Sequence, residues 1–448
     1  MSRVGLALAL ILLLAAGAAA APPCPDCLRA GAARVTLRVP AGAPLAGYGA
    51  LARRLYLPDV LDRYPHAFWL RPSTGERDAL AARALVLESA AGVRVAWVAV
   101  DLLAVDRALT AEVARRLAAL GVGEAALLVA ASHTHSGPGA FVDSALLGWL
   151  ALDREDRAVR EAVLEAIVAA VREADAARRP ARLATGSVAA PGLGRSRVRQ
   201  PLDSTLLVLK VTDARGEPLA LVWNYAIHGT ALGPRNLRLS GDVMGEASRR
   251  LEHALGVPAL FVNGAVGDVS PARHGEQAAA DLGAALATAA RAAWDQAATA
   301  ARPTLAAGTR AVTLPSPWLS ARNCLSGWAP SAVALPLGGL FPRDTALTAV
   351  VAGDSGWVSL PGELQTALGA EVKRAAGAHV RHPLVAGVAN DYLGYFVTAD
   401  EYARPSYVSC ASLYGPGAGA CLAGAAGDLL GAVARGERPV TARVACDR

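Results

Sequence analysis

Residues 126–139 read Ala126-Leu127-Leu128-Val129-Ala130-Ala131-Ser132-His133-Thr134-His135-Ser136-Gly137-Pro138-Gly139. The first six are apolar, a length that suits a buried strand, and the polar, glycine-rich remainder stops it. In open α/β sheets, sites form outside the carboxyl ends of the strands. A strand that ends in two histidines therefore raises both a fold and a place to look for chemistry.

Working outward, Val93–Leu103 has the pattern of a strand and Thr110–Leu120 that of a helix, while Asp156–Ala177 repeats apolar residues at helical spacing. Strands are expected at Ser204–Val211, Leu219–Ala226 and Ala259–Asn263, with helices at Val243–Leu255 and Gln277–Trp294. Strands alternating with helices predict an α/β fold with a mostly parallel or mixed central sheet flanked by helices. Beyond about Pro303, where a subdivision is expected, the pattern becomes an irregular α+β part. It has strands near Ala346–Val351 and Trp357–Leu360, a helix over Gly362–Ala375 and a tyrosine-rich run from Asp391 to Tyr407. No internal repeat is evident.

Of the 448 residues, 53% are hydrophobic, yet alanine supplies most of the excess and only one stretch is both long and continuously apolar. A polytopic membrane protein is excluded. That stretch is N-terminal: Ser2-Arg3 precede an apolar run from Val4 to Ala16 and small residues to Ala21, the pattern of a cleaved secretory signal peptide over residues 1–21. A secreted or periplasmic location follows. Lys+Arg 44 against Asp+Glu 38 leaves a net charge of +6, and all but two of the basic residues are scattered arginines. No basic stripe marks a nucleic-acid partner.

Six cysteines, Cys24, Cys27, Cys324, Cys410, Cys421 and Cys446, all lie after the leader, and in an exported chain they are expected as disulfides. Cys24 and Cys27 sit in a Cys/Pro-rich segment, residues 22–33, where a local bridge suits them better than a redox role. Cys410 and Cys421 flank a glycine-rich loop and are the next expected pair.

His133 and His135, at i and i+2 in an extended segment, share one face. A third histidine, His228, ends the apolar run from Leu219. Two strand ends in one sheet could bring these imidazoles to one ion, or each could be a hydrogen-bonded histidine at a strand terminus. Asn263-Gly264-Ala265-Val266-Gly267-Asp268-Val269-Ser270-Pro271 reads either as a turn or as a glycine-rich loop exposing the Ser270 hydroxyl. Glu363, after Pro361-Gly362, is either a hard oxygen ligand or a carboxylate favoured at a helix N-terminus. Tyr392, Tyr395, Tyr402 and Tyr407 form a cluster of the kind that usually serves packing. Asn323–Pro342 carries no formal charge, its prolines and glycines prevent a spanning helix, and it reads as a partly buried loop or an apolar lip for a lipid substrate.

In this order, and after a secretory leader, these segments resemble the neutral/alkaline non-lysosomal ceramidase family, over its N-terminal catalytic region. The resemblance runs from Gly47-Tyr48-Gly49 to about Tyr414, so that residues 34–448 are expected to form one ceramidase-like zinc amidase domain. It implies zinc, one ion per chain, with ligands His133, His228, Glu363 and Tyr395. It further implies His135 as proton carrier, Arg195 and Tyr407 at the developing oxyanion, and Ser270 as nucleophile or orienting group. Three features depart from the family: Gly194 replaces an asparagine, Leu57–Arg71 differs, and the spacing from His228 to Ser270 is compact. The family commonly adds a β-sandwich domain, and too few residues follow Tyr395 to form one.

The implied reaction is hydrolysis of the N-acyl amide of ceramide or a related N-acyl lipid to a fatty acid and a sphingoid base or other amine. A lipid-like substrate implies peripheral contact with a membrane surface. The competing readings are an exported zinc amidase or esterase acting on another acyl substrate, and a non-catalytic binding protein with the same fold.

Overall fold

The structure is a computed structural model that describes residues 28–300, 304–330, 333–437 and 442–446. The expected leader and the Cys24–Cys27 bridge lie outside the described residues. Among the described residues, ten strands precede the long helix Glu276–Asp295. They are β1 (Leu28–Thr36), β2 (Ala81–Glu88), β3 (Arg94–Val100), β4 (Leu127–Ala131), β5 (Arg179–Ala189), β6 (Gly194–Ser196), β7 (Thr205–Asp213), β8 (Pro218–Tyr225), β9 (Ala259–Asn263) and β10 (Val269–Pro271). The principal sheet has the order β4-β3-β2-β1-β5-β7-β8-β9, and β6 pairs with β10 outside it.

The sheet is mixed, so the mostly parallel alternative does not hold. Only β3–β4 and β8–β9 are parallel, and the five pairs between them are antiparallel. Connection length decides this. Tight turns join β2 to β3 and β7 to β8, too short for the crossover that parallel neighbours require. The two parallel pairs are the ones whose connections hold a helix, Arg107–Leu117 and Asp242–Leu255. His133 follows β4 and His228 follows β8, so both histidines leave the carboxyl ends of parallel strands.

The sheet curls until its two ends meet beyond these carboxyl termini. The chain after β4 bridges the chain after β8 at Thr134 and Gly229. Asn263, ending β9, donates through Nδ2 to Ser132 O at 3.2 Å and to Ile227 O at 3.0 Å, and accepts from Ile227 N. One buried amide therefore fixes the two histidine-bearing segments relative to each other.

A second, five-stranded sheet has the order His382–Ala386, Ser355–Ser359, Asp344–Ala352, Leu305–Thr313, Val444–Ala445. It packs on the first through an apolar layer in which Trp97 and Trp357 meet edge to face, 4.6 Å between centroids. Such an aromatic pair adds directional packing to the area it buries.

Two further expectations are corrected. The helix expected from Gly362 begins at Thr366, because Glu363–Leu364 instead forms a short strand parallel to Tyr395–Phe396. Among the described residues, the disulfides are Cys324–Cys410 and Cys421–Cys446, not Cys410–Cys421. Cys421 lies on the helix Ala418–Ala434, beside the Val444–Ala445 strand, while Cys410 ends the short helix Tyr407–Cys410 that faces Ala321–Cys324. Among the described residues, no helix is long and apolar enough to cross a membrane.

Candidate metal centre and its surroundings

His133, His135 and His228 converge, each offering a ring nitrogen within 4.8 Å of the others. His133 has a left-handed backbone, φ 66°, which turns its fully buried ring back toward the sheet ends. Its Nδ1 lies 2.7 Å from Leu103 O, and Nδ1 of His228 lies 2.8 Å from Val269 O. A carbonyl only accepts, so each Nδ1 carries a proton and each Nε2 faces the centre. Backbone carbonyls hold metal-ligating histidines in this way.

Glu363 closes the group. Its Oε1 lies 3.3 Å from His133 Nε2 and its Oε2 2.9 Å from His228 Nε2, with the carboxylate almost wholly buried. Burial pushes its carboxyl up, but the imidazoles of His133 and His228 outweigh burial and hold it well below the usual carboxylate range. The Tyr392 hydroxyl donates to Oε1 at 2.7 Å. Tyr395, paired with Glu363 across the short strands, places its hydroxyl 3.5 Å from His228 Nε2. Burial, followed by the Glu363 charge, raises the Tyr395 phenol well above 10.0.

His135 faces the same space. Both its ring nitrogens are buried without a hydrogen-bond partner, and burial followed by the neighbouring imidazoles puts its pKa well below 6.5. Tyr48 covers it, ring centroids 4.8 Å apart, and Arg53 donates to its carbonyl. Gly47 makes this approach feasible: at φ +100°, a Cβ there would lie 2.6 Å from the His135 ring.

Whether a metal fits is decided by the orphaned donors. Buried atoms lacking a hydrogen bond include His133 Nε2, both His135 nitrogens and Glu363 Oε2, and they face one another. Unsatisfied buried polar atoms are costly, and a cation binding imidazole nitrogens and carboxylate oxygen would satisfy them. The residues present fit such an ion.

Ser270 and an arginine line the same site, and the arginine is Arg197. Its Nε donates to Ser270 Oγ at 2.7 Å, and its Nη1 lies 3.1 Å from His228 Nε2 and 3.2 Å from the Tyr395 hydroxyl. Arg195, expected there, instead has an exposed side chain, although its backbone pairs with Ser270 in the β6–β10 ladder. The Arg197 amide donates to Asp268 O at 2.8 Å just beyond the ladder, which brings the guanidinium inward. Tyr407 stands at the mouth, largely exposed, its ring 5.8 Å from that of Tyr395.

Sequence reasoning missed Arg197, Tyr48, Asn263 and the contact from Tyr392 to Glu363. Arg197 had a local cue, since Gly194-Arg195-Ser196-Arg197 offers two arginines, and Tyr48 and Asn263 stand in the Gly47-Tyr48-Gly49 and Asn263–Pro271 stretches.

Residues 69–302, more than half of the chain, match the sequence profile of the neutral/alkaline non-lysosomal ceramidase N-terminal region. Glu363 and the tyrosines lie beyond that stretch. The chain is 32% identical over 211 residues to a neutral ceramidase of Pseudomonas aeruginosa, an alignment covering 42% of this chain and 31% of that protein. It is 29% identical over 176 residues to neutral ceramidase B of Dictyostelium discoideum, covering 34% and 24%. These alignments span about a third or less of the curated relatives' length. The fold superposes on the crystal structure of neutral ceramidase from Pseudomonas aeruginosa with a TM-score of 0.80 at 23% identity, covering 93% of this chain and 76% of that one. A fold shared across nearly the whole chain and a profile match containing His133, His135, His228 and Ser270 lead to one assignment: the chain belongs to the neutral/alkaline non-lysosomal ceramidase family.

Proposed function

We propose that the protein is an exported, zinc-dependent amide hydrolase that cleaves the N-acyl bond of ceramide or a related N-acyl lipid, releasing a fatty acid and an amine. The observation that carries this reading is the convergence of unpartnered, buried donor atoms of His133, His135 and Glu363 beside Ser270 and Arg197. His133, His228, Glu363 and Tyr395 would hold the ion, one per chain. Bound zinc would polarise the amide carbonyl and lower the pKa of water toward about 7.

The chain's own residues do the rest. The Arg197 guanidinium, held by Ser270 and Tyr395, presents positive charge where the carbonyl oxygen gains negative charge. Tyr407, at the mouth beside Tyr395, can add a second donor to that oxygen. His135 is kept neutral by burial, so it can accept a proton and pass it to the leaving nitrogen. Because Arg197 donates to its Oγ, the Ser270 hydroxyl hydrogen remains free to leave. Ser270 therefore serves as nucleophile or as the group that orients water and substrate. In either case water is added across the bond, hydroxyl to the acyl carbon and hydrogen to the amine.

The test is zinc content of the purified protein, paired with fatty-acid release from a fluorescent ceramide with and without chelator. Near-stoichiometric zinc and chelator-sensitive release are expected. Full zinc retention by His133→Ala and His228→Ala variants would refute the ligand set. Zinc without ceramide cleavage would refute the substrate.

A further inference from the structure

We propose that Arg53 is a positioning residue for His135, holding it from behind so that its imidazole stays free of fixed hydrogen bonds. This rests on the role given to His135 in the hydrolysis, and it names the group that keeps that imidazole in place.

The three histidines of the centre are not held alike. His133 and His228 are each fixed through Nδ1 by a backbone carbonyl, whereas both ring nitrogens of His135 are buried with no hydrogen-bond partner. A ring that exchanges a proton with substrate cannot commit its nitrogens to permanent partners. Its place is therefore set through its main chain and its ring face.

Arg53 reaches both. Its Nη2 donates to His135 O at 3.1 Å, its Nη1 to Ala46 O at 3.4 Å and its Nε to Pro234 O at 3.0 Å. These carbonyls belong to the segments that follow β1, β4 and β8, so one guanidinium ties three stretches of chain together around the histidine. The guanidinium carbon also lies 5.1 Å from the centroid of the Tyr48 ring, which covers the His135 imidazole. Between Ala46 and Tyr48 stands Gly47, against which that imidazole packs. A planar fork directs its donors in a fixed pattern, which an ammonium on a flexible stem does not.

The arginine is itself well anchored. Arg71 N donates to Arg53 O at 2.7 Å and Leu55 N to Trp69 O at 3.1 Å, while buried Asp153 accepts the amides of Phe68, Trp69 and Leu70. Packing does not account for an arginine here. Only 1% of Arg53 is exposed, and among the described residues no carboxylate pairs with it. A buried charge without a counter-charge is costly, and an apolar side chain would fill the space without that cost. What the guanidinium adds is direction, since it fixes where its three acceptors lie.

The test compares wild type with Arg53→Met, which keeps an unbranched apolar stem and removes the donors, on a water-soluble, short-acyl amide. kcat should fall about tenfold or more with KM within about twofold, as when a proton-transfer group is displaced and binding is spared. In a His135→Ala background the same substitution should change kcat less than about threefold, because the group it positions is gone. Histidine ring NMR signals of the purified protein read the same link without turnover, those of His135 being identified by their loss in His135→Ala. Arg53→Met should move them and leave those of His133 and His228 in place. Should Arg53→Met misfold, Arg53→Lys keeps the charge without the fork, and kcat should again fall with KM unchanged. Wild-type kcat in a folded variant, an undiminished loss in the His135→Ala background, or His135 signals that stay in place would overturn the proposal. Wild type without turnover, whose His135 signals still move in Arg53→Met, removes the hydrolase alone. Wild-type turnover that the Arg53 substitutions leave unchanged removes the role of Arg53 alone.

Discussion

The Tyr392 hydroxyl donates to Oε1 of Glu363 at 2.7 Å and thereby turns Oε2 toward His228 Nε2, 2.9 Å away. The buried carboxylate thus has one oxygen tied to a phenol and the other left for the centre. Tyr392→Phe removes the tie and retains the ring. Loss of a hydrogen bond that orients a ligand typically weakens metal binding about 10- to 100-fold. Zinc affinity, measured in competition with a chromophoric chelator, should fall by that factor while thermal unfolding of the metal-free protein changes little. Unchanged affinity would mean that packing alone sets the carboxylate.

Arg197 and Arg195 separate cleanly by placement. One guanidinium touches Ser270, His228 and Tyr395, while the other is exposed. Arg197→Gln should lower kcat/KM on a soluble N-acyl amide about 100-fold or more, the scale of losing one donor to a developing oxyanion. Arg195→Gln should stay within about threefold, as for a surface substitution. The reverse ranking would return the role to Arg195.

Gly47 is required for two reasons at once, its φ of +100° and the 2.6 Å that would separate a Cβ from the His135 ring. Gly47→Ala must move His135, Tyr48 or both. Under the proposed roles, with His133, His228 and Glu363 among the ligands and His135 as proton carrier, bound zinc should persist while kcat falls about tenfold or more. Steady-state kinetics with metal analysis checks this. Loss of zinc instead would place His135 among the ligands.

The histidines also set a pH dependence with a definite sign. Burial, then the Arg197 charge, lowers His228 to about 3. In the unfolded chain it takes up a proton near pH 6.5. Between those values the unfolded state binds more protons, so this contribution to stability is present above about 6.5 and is lost as pH falls. One such histidine contributes a slope of up to about 1.4 kcal/mol per pH unit. Urea unfolding of the chelator-treated protein should therefore depend less on pH between 6.5 and 4 in His228→Gln than in wild type. An equal dependence would show that His228 is not held neutral.

The local features were legible because they depend on neighbours in the chain. The apolar run before His133, the helix over Asp156–Ala177 and the run before His228 each appear close to where periodicity puts them, as Leu127–Ala131, Arg157–Ala176 and Pro218–Tyr225. The mixed character of the sheet was open to sequence only as one of two alternatives, and the tight turns between β2 and β3 and between β7 and β8 decide it.

Sequence by itself determined which residue types stand at the strand ends: two histidines after β4, one after β8 and Ser270 in its glycine-rich loop. Tertiary structure decided what they become. Asn263 joins two strand ends only because the sheet curls, and Glu363 meets His228 only through a two-residue strand paired with Tyr395. Arg197, not Arg195, turns its guanidinium inward because of where the β6–β10 ladder ends, and Cys410 finds Cys324 rather than Cys421 through contacts distant in sequence. A chain's local pattern sets where strands and helices form. Contacts between residues distant in sequence depend on how the whole sheet closes, and no local window contains that information.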